Sequence, residues 1–321
     1  MDSNSVASAL SRHLGGEFVV EGLQRLPGGA SRETWAFDAV STDGTRARLV
    51  LRRDPGEWSG AVARSTEYAL LEAASRHDVL VPRVRFVLEE SDELGAGFAM
   101  DYVAGETIAR RILRDDVYRE ARTDLARQCG EQAARIHALP IDDLPELEVA
   151  GPPELLAQYR KVLDDIGEPH PAFELGLRWL HEHMPEPVPG RVVHGDFRNG
   201  NLVVGSDGLH AVLDWELAHL GDPVEDLGWF CVRSWRFGAD DKRAGGFGPV
   251  DDLLRGYREA GGGEVDPERL HYWEVFGNLK WGAICAIQAS LHLTGVVRSV
   301  ELAVLGRRIA EMEWDLLELL S

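Results

Sequence analysis

Apolar and polar positions alternate over the first hundred residues and then recur every three to four, so the chain is expected to change from strands to helices near Val103. After a first short helix, strands are predicted over 18–26, 34–40 and 46–53, the last reading RARLVLRR. In that strand Leu49 and Leu51 share one face, and Val50 and Arg52 the other. A helix over 61–75 aligns Ala63, Glu67, Leu70, Leu71 and Ala74 on one side. Glu67 is then an acid on an apolar face, where it requires a partner. Strands over 83–88 and 97–103 complete a small antiparallel sheet.

Beyond Thr107 the period is helical. The stripe Leu125, Cys129, Ala133, Ile136 and His137 belongs to a helix ended by Pro140, and helices are predicted over 153–166, 171–183, 251–260, 267–291 and 298–320. The fold class is therefore α+β, with a small antiparallel β-sheet lobe over 1–103 and a larger, mostly helical lobe over 104–321.

One stretch interrupts the helical part: VVHGDFRNGNLVVGSDGLHAVLDWE, residues 192–216. Runs 202–204 and 209–213 flank a Gly205, Ser206, Asp207, Gly208 turn and read as a β-hairpin. Antiparallel strands lie about 4.8 Å apart, so the hairpin brings Asp196 and Asn201 beside Asp214 and Glu216. Like charges so close oppose one another's ionisation. A hard cation with oxygen ligands, Mg²⁺ above all, resolves the conflict while leaving positions for phosphate oxygens. The small residues of 27–32, PGGASR, form either an ordinary turn or a loop whose backbone N–H groups approach a phosphate.

HGDFRNGN followed by LDWE resembles the catalytic loop and metal-binding aspartate of the aminoglycoside phosphotransferase family, relatives of the protein kinases. The resemblance implies a bilobal protein-kinase-like fold that uses ATP and Mg²⁺ and phosphorylates a small-molecule hydroxyl. It makes Asp196 the base and gives the metal to Asn201 and Asp214, with His194 holding the loop. It places Gly28, Gly29 and Ser31 over the phosphates, and backbone groups near Met100, Asp101 and Val103 at the adenine edge. The usual strand lysine is missing, and Arg52 takes its position opposite Glu67, with Arg53 as competitor. The runs GDFRNGNLVV, LDWELAHLGDPVEDLGWFCVRSW and YWEVFGNLKW look closer to the kinase-like domain of certain acyl-CoA dehydrogenase fusions, which implies hydroxy-acid or hydroxyacyl-CoA acceptors. An aminoglycoside O-phosphotransferase, a catalytically silent nucleotide-binding regulator and a metal-dependent hydrolase remain as alternatives.

Composition changes this picture in three places. The chain has 321 residues and a formal charge of −20, which argues against a nucleic-acid backbone as partner. Its C-terminal part nevertheless carries Arg233, Arg236, Lys280 and Arg298, which either face an anionic acceptor or sit in solvent. The glycine-rich, charged stretch 238–248 is either a lid over the acceptor or a surface loop. Asp222 and Asp226 read as capping and loop-bracing acids, and Trp229, Trp235, Trp273 and Trp281 as core, with one or two at the acceptor. The three cysteines are expected as buried thiols, and no apolar run approaches the roughly 18 residues of a membrane helix. With no signal-like start, a cytoplasmic protein without a membrane partner is expected. Oligomeric state is left open.

Overall fold

Leu49 and Leu51 do point away from Val50 and Arg52, and that alternation decides what each face of the first sheet covers. The computed structural model describes residues 1–26, 33–54 and 63–321. Strands β1 (Phe18–Arg25), β2 (Glu33–Ser41), β3 (Arg46–Asp54), β4 (Val84–Val87) and β5 (Ala96–Asp101) form an antiparallel sheet in the order β1-β2-β3-β5-β4. On one face α1 (Ser3–Leu14), capped by Asp2, packs Val6, Ala9 and Leu10 against Phe37, Leu49, Leu51 and Ala99. On the other, α2 (Arg64–Arg76) lays Leu70, Leu71 and Ala74 over Ala36, Val50, Phe98 and Met100. Arg52 stands opposite Phe98 in the register and so shares the α2 side.

The chain leaves the sheet at Asp101 and crosses to the helical part through Gly105, whose φ of +152° favours glycine. A Cβ there would lie 2.6 Å from the Val203 side chain, so the crossing is pressed onto the later hairpin. Paired bonds between Glu106 and Val204, 2.9 and 3.0 Å long, fasten it.

The helical part comprises α3 (Ala109–Arg114), α4 (Arg119–Arg122), α5 (Leu125–His137), α6 (Pro152–Ile166) and α7 (Pro171–Glu182), then α8 (Val224–Cys231), α9 (Val250–Glu259), α10 (Pro267–Leu293), α11 (Val300–Leu305) and α12 (Ile309–Leu319). Between α7 and α8 lie two two-stranded sheets. The expected hairpin is β7 (Leu202–Gly205) with β8 (Gly208–Val212). A second pair, β6 (Arg191–Val193) with β9 (His219–Gly221), was not foreseen because β9 is too short to show a period. Among the described residues no helix is long and apolar enough to cross a membrane, and Cys129, Cys231 and Cys285 are free and buried.

Two expectations need correction. The helix over 298–320 is broken into α11 and α12 by a 3₁₀ turn, Gly306–Arg308. There the backbone crosses α10 so closely that a Cβ on Gly306 would sit 2.8 Å from the Ala289 Cβ. The stretch 238–248 is not a free lid: residues 244–248 are buried, and the Gly245 carbonyl accepts a 2.8 Å bond from the Asn199 amide. Glycine there permits packing instead of mobility, since a Cβ on Gly245 would meet the Phe230 ring at 2.7 Å.

Helices α5 and α9 touch backbone to backbone: a Cβ on Gly130 would lie 1.9 Å from the Leu253 carbonyl, and one on Gly256 1.9 Å from that of Arg127. Alanine normally favours a helix over glycine by about 1 kcal/mol. At Gly130 the clash with a fixed backbone outweighs that gain, so Gly130→Ala is expected to destabilise by about 1–3 kcal/mol. Urea unfolding checks this; a raised midpoint would refute the packing account.

Candidate active site

The HGD stretch is held from below by one buried acid. Both oxygens of Asp226, at the start of α8, accept backbone N–H groups, from His194 at 2.7 Å and Gly195 at 3.0 Å. Oδ2 also takes His137 Nε2 from α5 at 3.0 Å, and His137 Nδ1 meets the Tyr257 hydroxyl of α9 at 3.0 Å. Burial alone would push the Asp226 carboxyl up. The His137 hydrogen bond and the His194 contacts outweigh it and hold the group below the usual carboxylate range. The α5–α9 crossing thus orients the loop.

His194 is fully buried, and burial holds its pKa below the ordinary imidazole value despite the carboxylates around it. Its Nε2–H donates to the Leu213 carbonyl at 3.0 Å, so Nδ1 accepts the Asp196 N–H at 3.2 Å. The imidazole therefore ties the loop to the strand end before Asp214, the structural role expected of it. Gly195 adopts φ +78°, where a Cβ would strike the Leu217 carbonyl at 2.3 Å. Lys280, buried in α10, donates to the Gly195 carbonyl at 2.7 Å and approaches Glu225 at 3.4 Å.

Asp196 projects from this support with three donors on it. Trp229 Nε1 and Arg198 Nε each reach Oδ1 at 2.9 Å, and Asn201 Nδ2 reaches Oδ2 at 2.6 Å. Oδ1 is saturated, whereas Oδ2 keeps a lone pair. The Leu213 amide bonds the Asn201 carbonyl at 2.8 Å, which puts Asn201 beside the β8 end where Asp214 begins. Asp214 has φ +70°, a strained value for a residue with a Cβ.

The sheet reaches this loop through Arg52. Its Nη1 donates to Glu67 Oε1 and its Nη2 to Asp214 Oδ1, both at 2.7 Å, with Glu216 at 3.9 Å. Burial opposes the Asp214 charge, but the Arg52 charge and hydrogen bond more than compensate and hold its pKa below the ordinary value. Glu67 is fully buried, and Arg64 takes its other oxygen while also binding Asp54 at 2.9 Å. The competitor Arg53 faces away and pairs with Glu33 at 2.8 Å.

Among the predicted site residues, the fold brings together Asp196, Asn201, Asp214, Arg52 and Glu67. Met100 is buried in β5, two residues from Phe98 and on the face that α2 covers. The Asp101 side chain is turned to Arg85, at 2.6 and 2.9 Å, and its backbone N–H donates to the Arg83 carbonyl at 2.8 Å; Val103 is partly exposed. Gly28, Gly29 and Ser31 lie outside the described residues.

Arg233, Arg236 and Lys280 do not face an acceptor as free charges. Arg233 pairs with Asp240 and Asp315, Arg236 with Glu274, and Lys280 with Glu225; Arg298 is exposed. Sequence reasoning missed Arg64, although it lies three residues before Glu67 and so on the same helix face. It also missed the role of Asn199 and the indole of Trp229 on Asp196, which no local spacing signals.

The donor set suits a hard divalent cation. With the Asn201 side-chain nitrogen engaged, its side-chain oxygen Oδ1 and Asp214 Oδ2 have no hydrogen bond among the described residues. One amide and one carboxylate oxygen leave most of an octahedral shell for phosphate and water.

Residues 22–273 match the model of the phosphotransferase enzyme family. Acyl-CoA dehydrogenase family member 10 of Mus musculus is 26% identical over 293 residues, covering 84% of this chain and 27% of that protein. Acyl-CoA dehydrogenase family member 11 of Homo sapiens is 24% identical over 247 residues, covering 72% and 31%. The chain thus spans less than a third of the length of these relatives. A protein of Ralstonia eutropha JMP134 described as an aminoglycoside phosphotransferase superposes with a TM-score of 0.74 at 22% identity, covering 98% of each chain. Spectinomycin phosphotransferase, solved with ADP and spectinomycin, gives 0.67 at 14%, again covering 98% of each. The fold is accordingly the bilobal, kinase-like α+β fold, and the chain belongs to the phosphotransferase enzyme family.

Proposed function

We propose that the protein transfers the γ-phosphoryl group of ATP to a hydroxyl of a small molecule, binding the nucleotide between a lobe over 1–103 and a catalytic and acceptor lobe over 104–321. The observation that carries this is the convergence of Asp196, Asn201 and Asp214 at one hairpin end, reached by Arg52 from the sheet. Nucleotide complexes of similar structures, with ADP, ATP or AMP-PNP beside an antibiotic, support it.

In this reading Asn201 Oδ1 and Asp214 Oδ2 would hold magnesium, which would supply charge to offset that of the phosphates. Asp196 Oδ2, the oxygen with a lone pair to spare, orients the acceptor hydroxyl and takes its proton. Arg198 and Trp229 fix the carboxylate through Oδ1 so that little reorientation is needed. Arg52, braced by Glu67, is the residue we assign to the α- and β-phosphates; the phosphate-covering role proposed for Gly28, Gly29 and Ser31 falls on residues outside the described ones. Backbone groups at 101–103 meet the adenine edge. The acceptor in this reading is a hydroxy acid or hydroxyacyl-CoA, a choice in keeping with relatives named as acyl-CoA dehydrogenase family members. A cytoplasmic location fits the ATP supply and the three free thiols.

ADP release measured against hydroxy acids, hydroxyacyl-CoA thioesters and aminoglycosides should be stimulated by a member of the first two classes and abolished by EDTA. Acceptor-independent, ATP-independent turnover would refute the transferase. Asp196→Asn is expected to lower kcat by about 10²–10⁴-fold while ADP affinity, read by calorimetry, stays unchanged. Loss of ADP binding in a folded variant would contradict the division of roles. Arg52→Ala should raise the KM for ATP by about tenfold or more, since both a phosphate contact and the Asp214 brace go, with Arg52→Lys in between. A wild-type KM in Arg52→Ala would remove Arg52 from the site.

A further inference from the structure

Of the three lysines in the chain, Lys161 and Lys242 are exposed, whereas Lys280 is buried with 4% of its surface reaching solvent. A buried ammonium is costly unless it is paired and hydrogen-bonded, so its place in α10 calls for a reason. Neutralising Glu225 does not supply one. That acid already receives His219 Nε2 on Oε2 at 3.1 Å. Burial depresses the His219 pKa, but the Glu225 charge and hydrogen bond more than restore it and hold it above the ordinary imidazole value. Lys280 stands 3.4 Å from Glu225 Oε1, while its shortest bond, 2.7 Å, goes to the Gly195 carbonyl.

That carbonyl belongs to the peptide group whose N–H is that of Asp196. Lys280 therefore grips one end of the Gly195–Asp196 peptide, and His194 Nδ1 the other at 3.2 Å. The same ammonium lies over the Trp229 ring, 4.8 Å from its centroid, and Nε1 of that indole donates to Asp196 Oδ1 at 2.9 Å. One cation thus acts on Asp196 by two routes, through the backbone that carries the carboxylate and through the donor that orients it. Close packing of α8 on α10 permits this. A Cβ on Gly228 would lie 2.5 Å from the Trp273 backbone, and one on Gly277 2.8 Å from the Val232 side chain. An ammonium directs three donors around a point, which suits a carbonyl, a carboxylate and a ring face in different directions; the planar fork of arginine does not.

We propose that Lys280 is a positioning residue for Asp196, fixing the direction of its peptide group and polarising the Trp229 indole that holds Oδ1. The part of Asp196 in taking the acceptor proton rests on the transferase function proposed above; the coupling of Lys280 to the Trp229 indole does not. Lys280 also lines a cavity of about 580 Å³ with Tyr159, Glu216 and Glu225, which gives a small cation a way to its place.

Lys280→Met keeps the side chain's length and removes its charge. With the hydroxy acid or thioester that best stimulates ADP release in the wild type, it should lower kcat about 10–100-fold and leave ADP affinity unchanged, because Asp196 loses alignment and the nucleotide does not. Lys280→Ala should fall as far, and should regain much of its kcat with millimolar propylammonium but not with propanol or with sodium chloride at the same ionic strength. A role in stability alone predicts no such rescue. The second readout needs no turnover. The indole N–H resonance of Trp229, identified by its loss in Trp229→Phe, should shift in Lys280→Met and return toward the wild-type position when propylammonium is added to Lys280→Ala. Wild-type kcat in Lys280→Met, a raised KM for ATP with kcat unchanged, rescue by propanol, or an indole resonance that does not move overturns the proposal. Should either variant fail to fold, Lys280→Gln, which keeps a donor for the Gly195 carbonyl without the charge, carries the turnover and resonance comparisons. Absence of acceptor-stimulated ADP release in the wild type overturns the transferase, and the indole resonance then still decides the coupling.

Discussion

One guanidinium ties the first sheet to the hairpin that carries the candidate chemistry. Arg52 stands on a sheet strand, yet its two terminal nitrogens bind Glu67 of α2 and Asp214 at the end of the hairpin, each at 2.7 Å. A lysine ammonium is a point charge on a flexible stem, whereas the planar fork of arginine can hold two carboxylates in fixed directions. Glu67 has no exposure to water, so an unpaired charge there would cost several kcal/mol. Arg52 and Arg64 remove that penalty by taking one oxygen each. Besides the packing of Leu70, Leu71 and Ala74 on the sheet, satisfying this acid fixes the first turns of α2 against the strand that carries Arg52.

A parallel arrangement governs the catalytic loop. Asp226 is buried without exposure, and its oxygens receive two backbone N–H groups and an imidazole nitrogen. The loop at 194–196 has the shape that these bonds require, since Gly195 must hold a left-handed conformation against the Leu217 carbonyl. Lys280 closes the remaining side by taking the Gly195 carbonyl. Asp226 and Lys280 therefore hold the loop backbone in place, which is what a reaction dependent on alignment asks of its scaffold.

Charge placement also separates surface from site. The chain is strongly acidic, yet the basic residues first suspected of meeting a ligand are neutralised by neighbours: Arg233 by Asp240 and Asp315, Arg236 by Glu274. Local fields in clefts depend on uncompensated groups and not on net charge. Arg110 and Arg307 have no ion pair among the described residues, and neither belongs to a motif.

Much was legible in the sequence where the determining contacts are local. The switch from period two to period three or four marks the change from sheet to helices, and the 205–208 turn sets the hairpin register that puts Asn201 beside Asp214. Glu67 on an apolar stripe announced a buried pair, because the helical period alone fixes that face. What the sequence could not settle were partners far apart along the chain: Arg52 and Asp214 are separated by 162 residues, and His137 and Asp226 by 89. Helix 298–320 keeps its period through the break, and only the close approach of α10 at Gly306 interrupts it. Periodicity reports which face of an element is buried; which other element buries it, and which charges are then left unpaired, is a property of tertiary packing alone.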